Sequence, residues 1–313
     1  MDWKPTRLPD QSGRTYVVTG ATSGIGYFAA EQLASAGAQV VLASRSASKL
    51  REAEAAIRGQ VPDASLRSIV LELGSFASVD DAAAEVAQLP RVDGIFLNGG
   101  AMSMSRSART DDGLPILFGT HVAANVRLVA GVLPKLIASA TEHQTVGRLV
   151  HASTGFVGLR RYDLDDVATV PWTGIGAYTK AKTVTEVFAF ELDRRLKAAG
   201  LPAVSVVTRP GVGVDAKTPQ RAGIRDSNTP FQRNPYTPWA QGKDTAAWSS
   251  VRALTDPEVR GGEYFAPRGR LRGEPVLVPA YPHTASPSGD TADQVWRQLE
   301  AVAQVRLPGI RVL

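Results

Sequence analysis

Tyr178 and Lys182 stand four residues apart in the segment AYTKAK, a spacing that puts both on one face of a helix. A phenol is a poor acid–base group near neutral pH, its ordinary pKa being about 10. An ammonium a few ångströms away favours phenolate and lowers that pKa by about one to three units. Such a pair can give a proton to a carbonyl oxygen as hydride reaches the carbon, or take it back in reverse. Lys180 lies two residues from Tyr178 and faces away, so Lys182 is the candidate partner. The chemistry also needs a hydroxyl to hold the substrate oxygen. Ser153 and Thr154 lie at the end of the strand-like run GRLVHAS. Spacing alone does not choose between them, and both also form turns readily before Gly155. Taken alone the Tyr–Lys pair is commonplace, an exposed phenol beside a solvated lysine being the plain alternative.

A second group of residues lies near the start, in TGATSGIG from Thr19 to Gly26. It follows an apolar run and opens a helical pattern. Glycines there let the backbone approach an anion closely, and helix-end amides with the positive end of the dipole face it. Gly20, Gly24 and Gly26 carry the geometry, Thr22 and Ser23 offer hydroxyl donors, and Ile25 adds a backbone amide. The spacing is Gly-x3-Gly-x-Gly. The next strand candidate ends at Ser44-Arg45. An acid at that place would accept both ribose hydroxyls and repel a 2′-phosphate. A small neutral Ser44 followed by a cation instead favours NADP(H) over NAD(H).

The elements that must position these groups can be read from the apolar patterning. Val17 and Val18 lie in a short run ahead of the glycines, and a helix follows from about Ile25 to Ala36. Strands are expected over Ala38–Ser44, Ser68–Leu73, Val92–Gly100, Gly147–Ser153 and Ala203–Gly211. Helices are expected over about Ala47–Arg58, Ser78–Gln88, Leu117–Ser139 and Tyr178–Ala199. Strand and helix alternate, and the strands read as continuous apolar runs, as in a parallel sheet buried on both faces. The reading is an α/β, three-layer, doubly wound Rossmann-type sheet, with its crevice beyond the strands' carboxyl ends. One domain is expected over residues 1–313. After Gly211 the alternation fails. Val212 to Pro238 is rich in Pro and basic on balance, with Arg221, Arg225 and Arg233 against Asp215 and Asp226. A substrate lid over about 212–240 is the expectation, a solvated loop the alternative.

Composition narrows the function classes. The 313 residues are 43% hydrophobic and 21% charged, which is ordinary for a globular chain. With no cysteine, disulfides, thiol nucleophiles and thiolate metal sites are excluded. The four histidines are not spaced as helical metal ligands, and no metal is expected. The net charge of +5 comes without a basic run, so no nucleic acid partner is expected. The N-terminal stretch lacks an apolar signal core and no membrane span is read, giving a cytoplasmic expectation.

The glycine turn, the strand ending in Asn98-Gly99-Gly100 and the Tyr-x3-Lys pair occur in one order. Together they resemble the short-chain dehydrogenase/reductase family, in its retinol-dehydrogenase-like and protochlorophyllide-reductase-like branch. The resemblance covers about Ser12 to Trp296 and is densest in SGRTYVVTGATSGIG, VVLASR, GRLVHAS and AYTKAKTVTEVFAFELDRRL, with TDPEVRGGEYF near the end. It implies that Tyr178 is the acid–base residue and that Lys182 binds the nicotinamide ribose and tunes the phenol. The family's catalytic Ser falls on Thr154, with Ser153 one position earlier. Glu72, with Leu73 beside it, takes the adenine-contacting position where Asp is common. Asn98 matches the family's NAG motif, Gly99 replaces its Ala, and Gly100 completes it. The family's relay Asn aligns with His121, which either passes protons or is a packed helix residue; Asn125, one turn on, is out of register. Pro210-Gly211 matches the turn after the sixth strand, preceded here by Arg209.

The resemblance implies an NADP(H)-dependent oxidoreductase interconverting a carbonyl and an alcohol. A small to medium, mostly apolar substrate is expected from Phe156, Val157, Leu159 and Trp172, residues that could equally be core. Homodimers or homotetramers through the long helices are a family habit, and monomers occur in the branch. The alternative function is a non-catalytic NADP(H)-binding sensor or scaffold. A nucleotide-sugar epimerase would carry Gly-x2-Gly-x2-Gly, which is lacking here. The absence of cysteine weighs against light-driven protochlorophyllide reduction.

Overall fold

The apolar runs become strands β1 Thr15–Thr19, β2 Gln39–Ser44, β3 Leu66–Val70, β4 Gly94–Leu97, β5 Gly147–Ala152 and β6 Ala203–Thr208. Two further strands follow, β7 Tyr264–Pro267 and β8 Pro275–Leu277. All eight join in one sheet ordered β3-β2-β1-β4-β5-β6-β7-β8. Every pairing is parallel except the last, β7 with β8. Chain order reverses between β1 and β4, and a crevice opens there beyond the strands' carboxyl ends. This description rests on a computed structural model and covers residues 3–103, 105, 107–224 and 237–307.

The helices are α1 Gly24–Ser35, α2 Ala47–Gln60, α3 Phe76–Ala87, α4 Ile116–Glu142 and α5 Gly174–Ala198. Later come α6 Lys243–Ala246, α7 Trp248–Thr255, α8 Pro282–Ala285 and α9 Thr291–Ala303. Two apolar layers sandwich the sheet. One packs β1, β2, β4 and β5 against α3, α4 and α5 through Val17, Val41, Ile95, Leu149, Val129 and Val187. The other packs the opposite face against α1, α2 and α7 through Val18, Leu42, Phe96, Phe28, Leu50 and Val251. Strands β1 and β4 are buried throughout. That is why they read as unbroken apolar runs.

Several expected boundaries move. Strand β3 covers Leu66–Val70, not Ser68–Leu73, because its partner β2 stops at Ser44 opposite Val70. Leu71 and Leu73 are apolar because they turn into the core. The helix carrying Tyr178 begins at Gly174, four residues earlier than expected, with the Thr173 side chain accepting the Gly176 N–H at 3.0 Å. Tyr178 therefore sits in its second turn. Helix α4 contains a π-helical stretch at Gly119–Ala123, a feature frequent at functional sites.

The failure of alternation after Gly211 holds only locally. Past the 212–240 region the chain resumes with α7, β7, the antiparallel β8 and α9. The sequence pattern hides these because β7 and β8 are only four and three residues long. Within the expected lid, residues 225–236 lie outside the described residues. The described flank is anchored: Arg221 donates to both Glu31 carboxylate oxygens, at 2.7 and 2.8 Å.

Helix α9 lies across α4 and α5. Arg195 pairs with Asp293 and stands 4.3 Å from the Trp296 ring centroid, while Trp296 stacks on Phe188 at 5.5 Å. Helix α4 is long and apolar enough to cross a membrane, contrary to the sequence expectation that no segment would be. Its most apolar stretch is 83% buried inside the protein, where apolarity is what packing against α3 and the sheet requires.

Candidate functional site

The glycine turn joins β1 to α1 at the open crevice. Gly20 has φ +67° and Gly24 φ +60°, left-handed conformations that glycine adopts at little cost and residues with a Cβ rarely do. A methyl on Gly20 would stand 3.1 Å from both Asn98 Nδ2 and Gly99 Cα, and one on Gly26 would overlap the Gly20 carbonyl. Gly20 and Gly26 therefore allow helix, strand and turn to close together. Thr22 Oγ1 lies 3.1 Å from Ser44 Oγ and bridges the turn to the end of β2. Ser23 is exposed, and its side chain makes no capping bond. Ile25 is half-buried beside it.

At the neighbouring strand end Arg45 is 76% exposed and stands 3.9 Å from Glu72. So long and exposed an ion pair contributes little, and the guanidinium is available to an anion. Glu72 accepts the Gly74 N–H at 2.8 Å, which fixes its own turn. Leu73 is buried, and a methyl on Gly99 would meet its Cδ1 at 2.7 Å.

Thr19 organises the crossing of β1 and β4, and nothing in the sequence singles it out. Its Oγ1 accepts Asn98 N–H at 3.0 Å and Gly99 N–H at 2.8 Å, and Asn98 Nδ2 donates to the Thr19 carbonyl at 3.1 Å. A methyl on Gly100 would overlap the His121 ring. His121 Nε2 bonds the Ala101 carbonyl at 2.8 Å, and the ring meets Tyr178 edge-on at 5.4 Å. Burial, then the nearby Lys182 charge, push the imidazole down to about 3, so it is neutral at ordinary pH. Its Nδ1 is buried without a hydrogen-bond partner among the described residues. Asn125 donates to the Thr120 and His121 carbonyls at 2.9 and 3.1 Å. It thereby satisfies the π-helical stretch that carries His121, a role that sequence register alone does not reveal.

Tyr178 and Lys182 share a face of α5, with Lys182 Nζ 6.0 Å from the Tyr178 ring centroid. Lys182 is 3% exposed and donates to the Ala152 carbonyl at 2.6 Å. Burial pulls its pKa down to about 8, against the pull of Glu186, one helical turn on. Burial pushes the Tyr178 phenol up to about 12. This is the reverse of the lowering expected from Lys182, because loss of solvent around the phenol outweighs an ammonium held against a backbone carbonyl. Lys180 donates to the Asp166 carbonyl at 2.7 Å, on another side of the helix.

The two candidate hydroxyls diverge. Ser153 Oγ is buried and donates to Glu186 Oε1 at 2.5 Å. The same carboxyl accepts Tyr264 Oη and Thr284 Oγ1, each at 2.8 Å. Burial raises the Glu186 pKa against these donors. Thr154 is half-buried, and its Oγ1 makes only a long local bond, accepting Phe156 N–H at 3.4 Å. Glu186 escapes a reading of the sequence because a lone acid in a helix looks like a solvated face.

Pro210 and Gly211 follow β6. Gly211 has φ +70°, and a methyl there would overlap the Leu271 carbonyl. Gln241 donates to the Pro210 carbonyl at 2.7 Å. The apolar residues expected around the substrate scatter instead. Val157 is core, whereas Phe156, Leu159 and Trp172 are exposed. An apolar cavity beside α5 is lined by Pro115, Ile116, Phe118, Val167 and Ala181. Its volume of about 20 Å³ has room for about one water. Among the described residues, no group of three or more acids and histidines is placed to hold a metal.

Residues 14–224 match the family described as short chain dehydrogenase. The polyprenol dehydrogenase of Mus musculus is 31% identical over 287 residues, spanning 88% of this chain and 81% of that protein. Retinol dehydrogenase 13 of Homo sapiens is 32% identical over 203 residues, 64% of this chain and 59% of that one. A protein of solved structure from Mycobacterium paratuberculosis superposes with a TM-score of 0.77 at 24% identity, covering 98% of this chain and all of that one. A short chain dehydrogenase from Shigella flexneri, complexed with NADP, gives 0.61 at 23% identity over 82% and 96% of the two chains. At these identities the solved structures speak to the fold.

Proposed function

The chain belongs to the short-chain dehydrogenase family and is an oxidoreductase acting on CH–OH or C=O groups, and from that premise we propose that it interconverts a carbonyl and an alcohol with NADP(H), using Tyr178 as its proton donor and acceptor. The observation that carries this reading is a continuous line of contacts. It runs from Gly20 against Gly99, through Gly100 against His121, to the edge of the Tyr178 ring. A dinucleotide with its phosphates on the α1 amides would extend along that line toward the phenol.

The residues present suit such a cofactor. In this reading Gly20, Thr22, Ser23, Gly24, Ile25 and Gly26 hold the phosphates. Ser44 and Arg45 take the 2′-phosphate, and Glu72 and Leu73 flank the adenine. Asn98, Gly99, Gly100, Pro210 and Gly211 line the nicotinamide end, where Lys182 reaches the ribose. When bound, NADPH supplies the hydride. Tyr178, held protonated by burial, gives its proton to the carbonyl oxygen, which suits the reductive direction. Thr154 donates to the same oxygen, since its hydroxyl is not committed elsewhere, while Ser153 is tied to Glu186. Lys182 keeps a positive charge beside the phenol and steadies phenolate after the transfer. His121, neutral and half-satisfied, packs the phenol's edge and offers Nδ1 as a relay acceptor.

The proposed substrate is small to medium and mostly apolar, taken by a single domain whose expected lid, about 212–240, lies partly outside the described residues. The likeness to polyprenol and retinol dehydrogenases supports an apolar alcohol or carbonyl. Helix α9 packs on α4 and α5 and occupies part of the surface of those long helices, which supports a monomer over a homodimer built on them. The buried setting of α4 supports a core helix over a membrane-spanning one.

The test is Tyr178→Phe. Turnover of a carbonyl panel with NADPH should fall at least about a thousandfold, within the range of one general acid plus its orientation, while NADPH binding stays within about threefold. Full activity in that variant rejects the assignment. Binding without wild-type turnover on any carbonyl or alcohol would favour a sensor or scaffold instead.

A further inference from the structure

Lys243 opens the short helix α6 well outside the motifs described above, yet its side chain lies over the glycine turn. Its Cδ is 3.8 Å from where a methyl on Gly24 would stand, at the first residue of α1. Its Cγ is 3.3 Å from the corresponding point on Gly213, in the turn after β6. Residues 213 and 241 are bridged as in a parallel sheet, and Lys243 N–H donates to Thr218 Oγ1 at 2.9 Å. Gln32 on α1 donates to the Asp244 carbonyl at 2.8 Å, tying α6 to α1. Three stretches of backbone thus hold the lysine stem between the glycine turn and the turn after β6. The ammonium itself pairs with Asp215.

We propose that Lys243 is a phosphate ligand of the dinucleotide site, its ammonium leaving Asp215 to neutralise the pyrophosphate that rests on the first turn of α1. The inference rests on the nucleotide-binding reading above and extends it to a residue that no motif marks. The glycine turn is neutral, containing only Gly, Ala, Thr, Ser and Ile between residues 19 and 26. Arg45 belongs to the ribose end, and Arg221 is committed to Glu31 by two hydrogen bonds. A pyrophosphate on α1 would otherwise meet only amides and hydroxyls there. The side chain of Asp215 is 61% exposed, and an exposed carboxylate is a weak competitor for an ammonium. A phosphate oxygen against helix-end amides is a stronger partner.

The test titrates the full chain with NADPH and with NADH by calorimetry, at two salt concentrations, in wild type and in Lys243→Met, Lys243→Arg and Asp215→Asn. The pyrophosphate is common to both cofactors. Lys243→Met should therefore raise Kd about tenfold for each, as expected for losing one charge-assisted contact. Lys243→Arg should recover most of the loss. Asp215→Asn should lower both Kd values, because it frees the lysine. Three results would overturn the proposal: Kd within about twofold of wild type in Lys243→Met, a loss confined to NADPH, or an Asp215→Asn variant that binds both cofactors about tenfold more weakly than wild type. The last would make the pair a structural clamp, and it can be read even if Lys243→Met fails to fold. Wild-type protein that binds neither dinucleotide would instead defeat the nucleotide reading on which the proposal rests.

Discussion

Replacing Lys182 by Met should make the protein more stable at neutral pH while removing its activity. Lys182 is 3% exposed, and its pKa is drawn from 10.5 to about 8 by burial. A base with a depressed folded pKa costs nothing above its unfolded value, and its cost grows as pH falls and is complete below the folded one. At pH 7, below both values, that cost is nearly complete. That lowering, at 1.36 kcal/mol for each tenfold change in proton affinity, means that the buried ammonium costs about 3 kcal/mol. Methionine fills a similar volume without the charge. It leaves the Ala152 carbonyl without the donor now at 2.6 Å, which takes back about 1 kcal/mol. The net expectation is a gain of about 2 kcal/mol at pH 7 in urea unfolding. The same linkage gives the pH dependence: the ammonium's cost falls to about 2 kcal/mol by pH 9 and toward zero above 10.5. The advantage of Lys182→Met should therefore shrink by about 1 kcal/mol between pH 7 and pH 9. A variant less stable than wild type at pH 7, or an advantage that does not change with pH, would show that the lysine is not strained by its burial. The proposed role would then lose its physical signature, a charge kept where folding alone would not keep it.

Arg45→Ala should raise Kd for NADPH about tenfold or more and leave NADH within about twofold, since the guanidinium serves only a 2′-phosphate; equal losses for both cofactors in a binding titration would refute its assignment. Glu186→Leu removes the acceptor of three buried hydroxyls, of which Thr284 keeps the Tyr281 carbonyl at 3.1 Å, so about 3 kcal/mol of unfolding free energy should be lost for the two orphans. Glu186→Gln, which retains an acceptor oxygen, should lose much less. Because the Glu186 pKa is raised, wild type should lose stability relative to Glu186→Gln as pH rises from the ordinary carboxyl range through the raised value. A pH-independent difference between those two would contradict the buried acid. His121→Asn, which restores the family residue, should leave NADPH binding unchanged; if imidazole relays protons, kcat should fall severalfold with KM held, and an unaltered kcat would mark His121 as packing alone.

Much of this is legible in the residues. The glycine turn, Ser44-Arg45 and Asn98-Gly99-Gly100 lie at three adjacent strand ends because strand order places β2, β1 and β4 side by side. Their functional meaning depends on backbone shape and on charge at a strand's end, and both show in local sequence. Strands β1, β2, β4, β5 and β6 are visible for a similar reason, since burial on both faces favours continuous apolar runs, whereas the edge strand β3 is mostly exposed or half-buried and its bounds are harder to read. What escapes lies where long-range contact decides. Strands β7 and β8 are too short for a pattern. Thr19 looks like any threonine until β4 lies beside it. Lys243 reads as one of many surface cations until α6 is laid on α1.

The choice between Ser153 and Thr154 shows most clearly where local reasoning stops. The two hydroxyls are adjacent, similarly polar and equally suited to a turn, so no propensity separates them. What separates them is Glu186, 33 residues on, whose carboxyl takes Ser153 at 2.5 Å together with Tyr264 and Thr284. A carboxyl buried that deeply must collect donors to offset its lost solvation, and Ser153 is one of them. A side chain committed in this way is poorly suited to follow a substrate oxygen whose charge grows and fades during reaction. Thr154, holding only a 3.4 Å bond to its own turn, retains that freedom. The network that ties down Ser153 also fixes the end of β5 from which Thr154 projects, so in the proposed mechanism the buried acid leaves Thr154 as the hydroxyl free to meet the substrate.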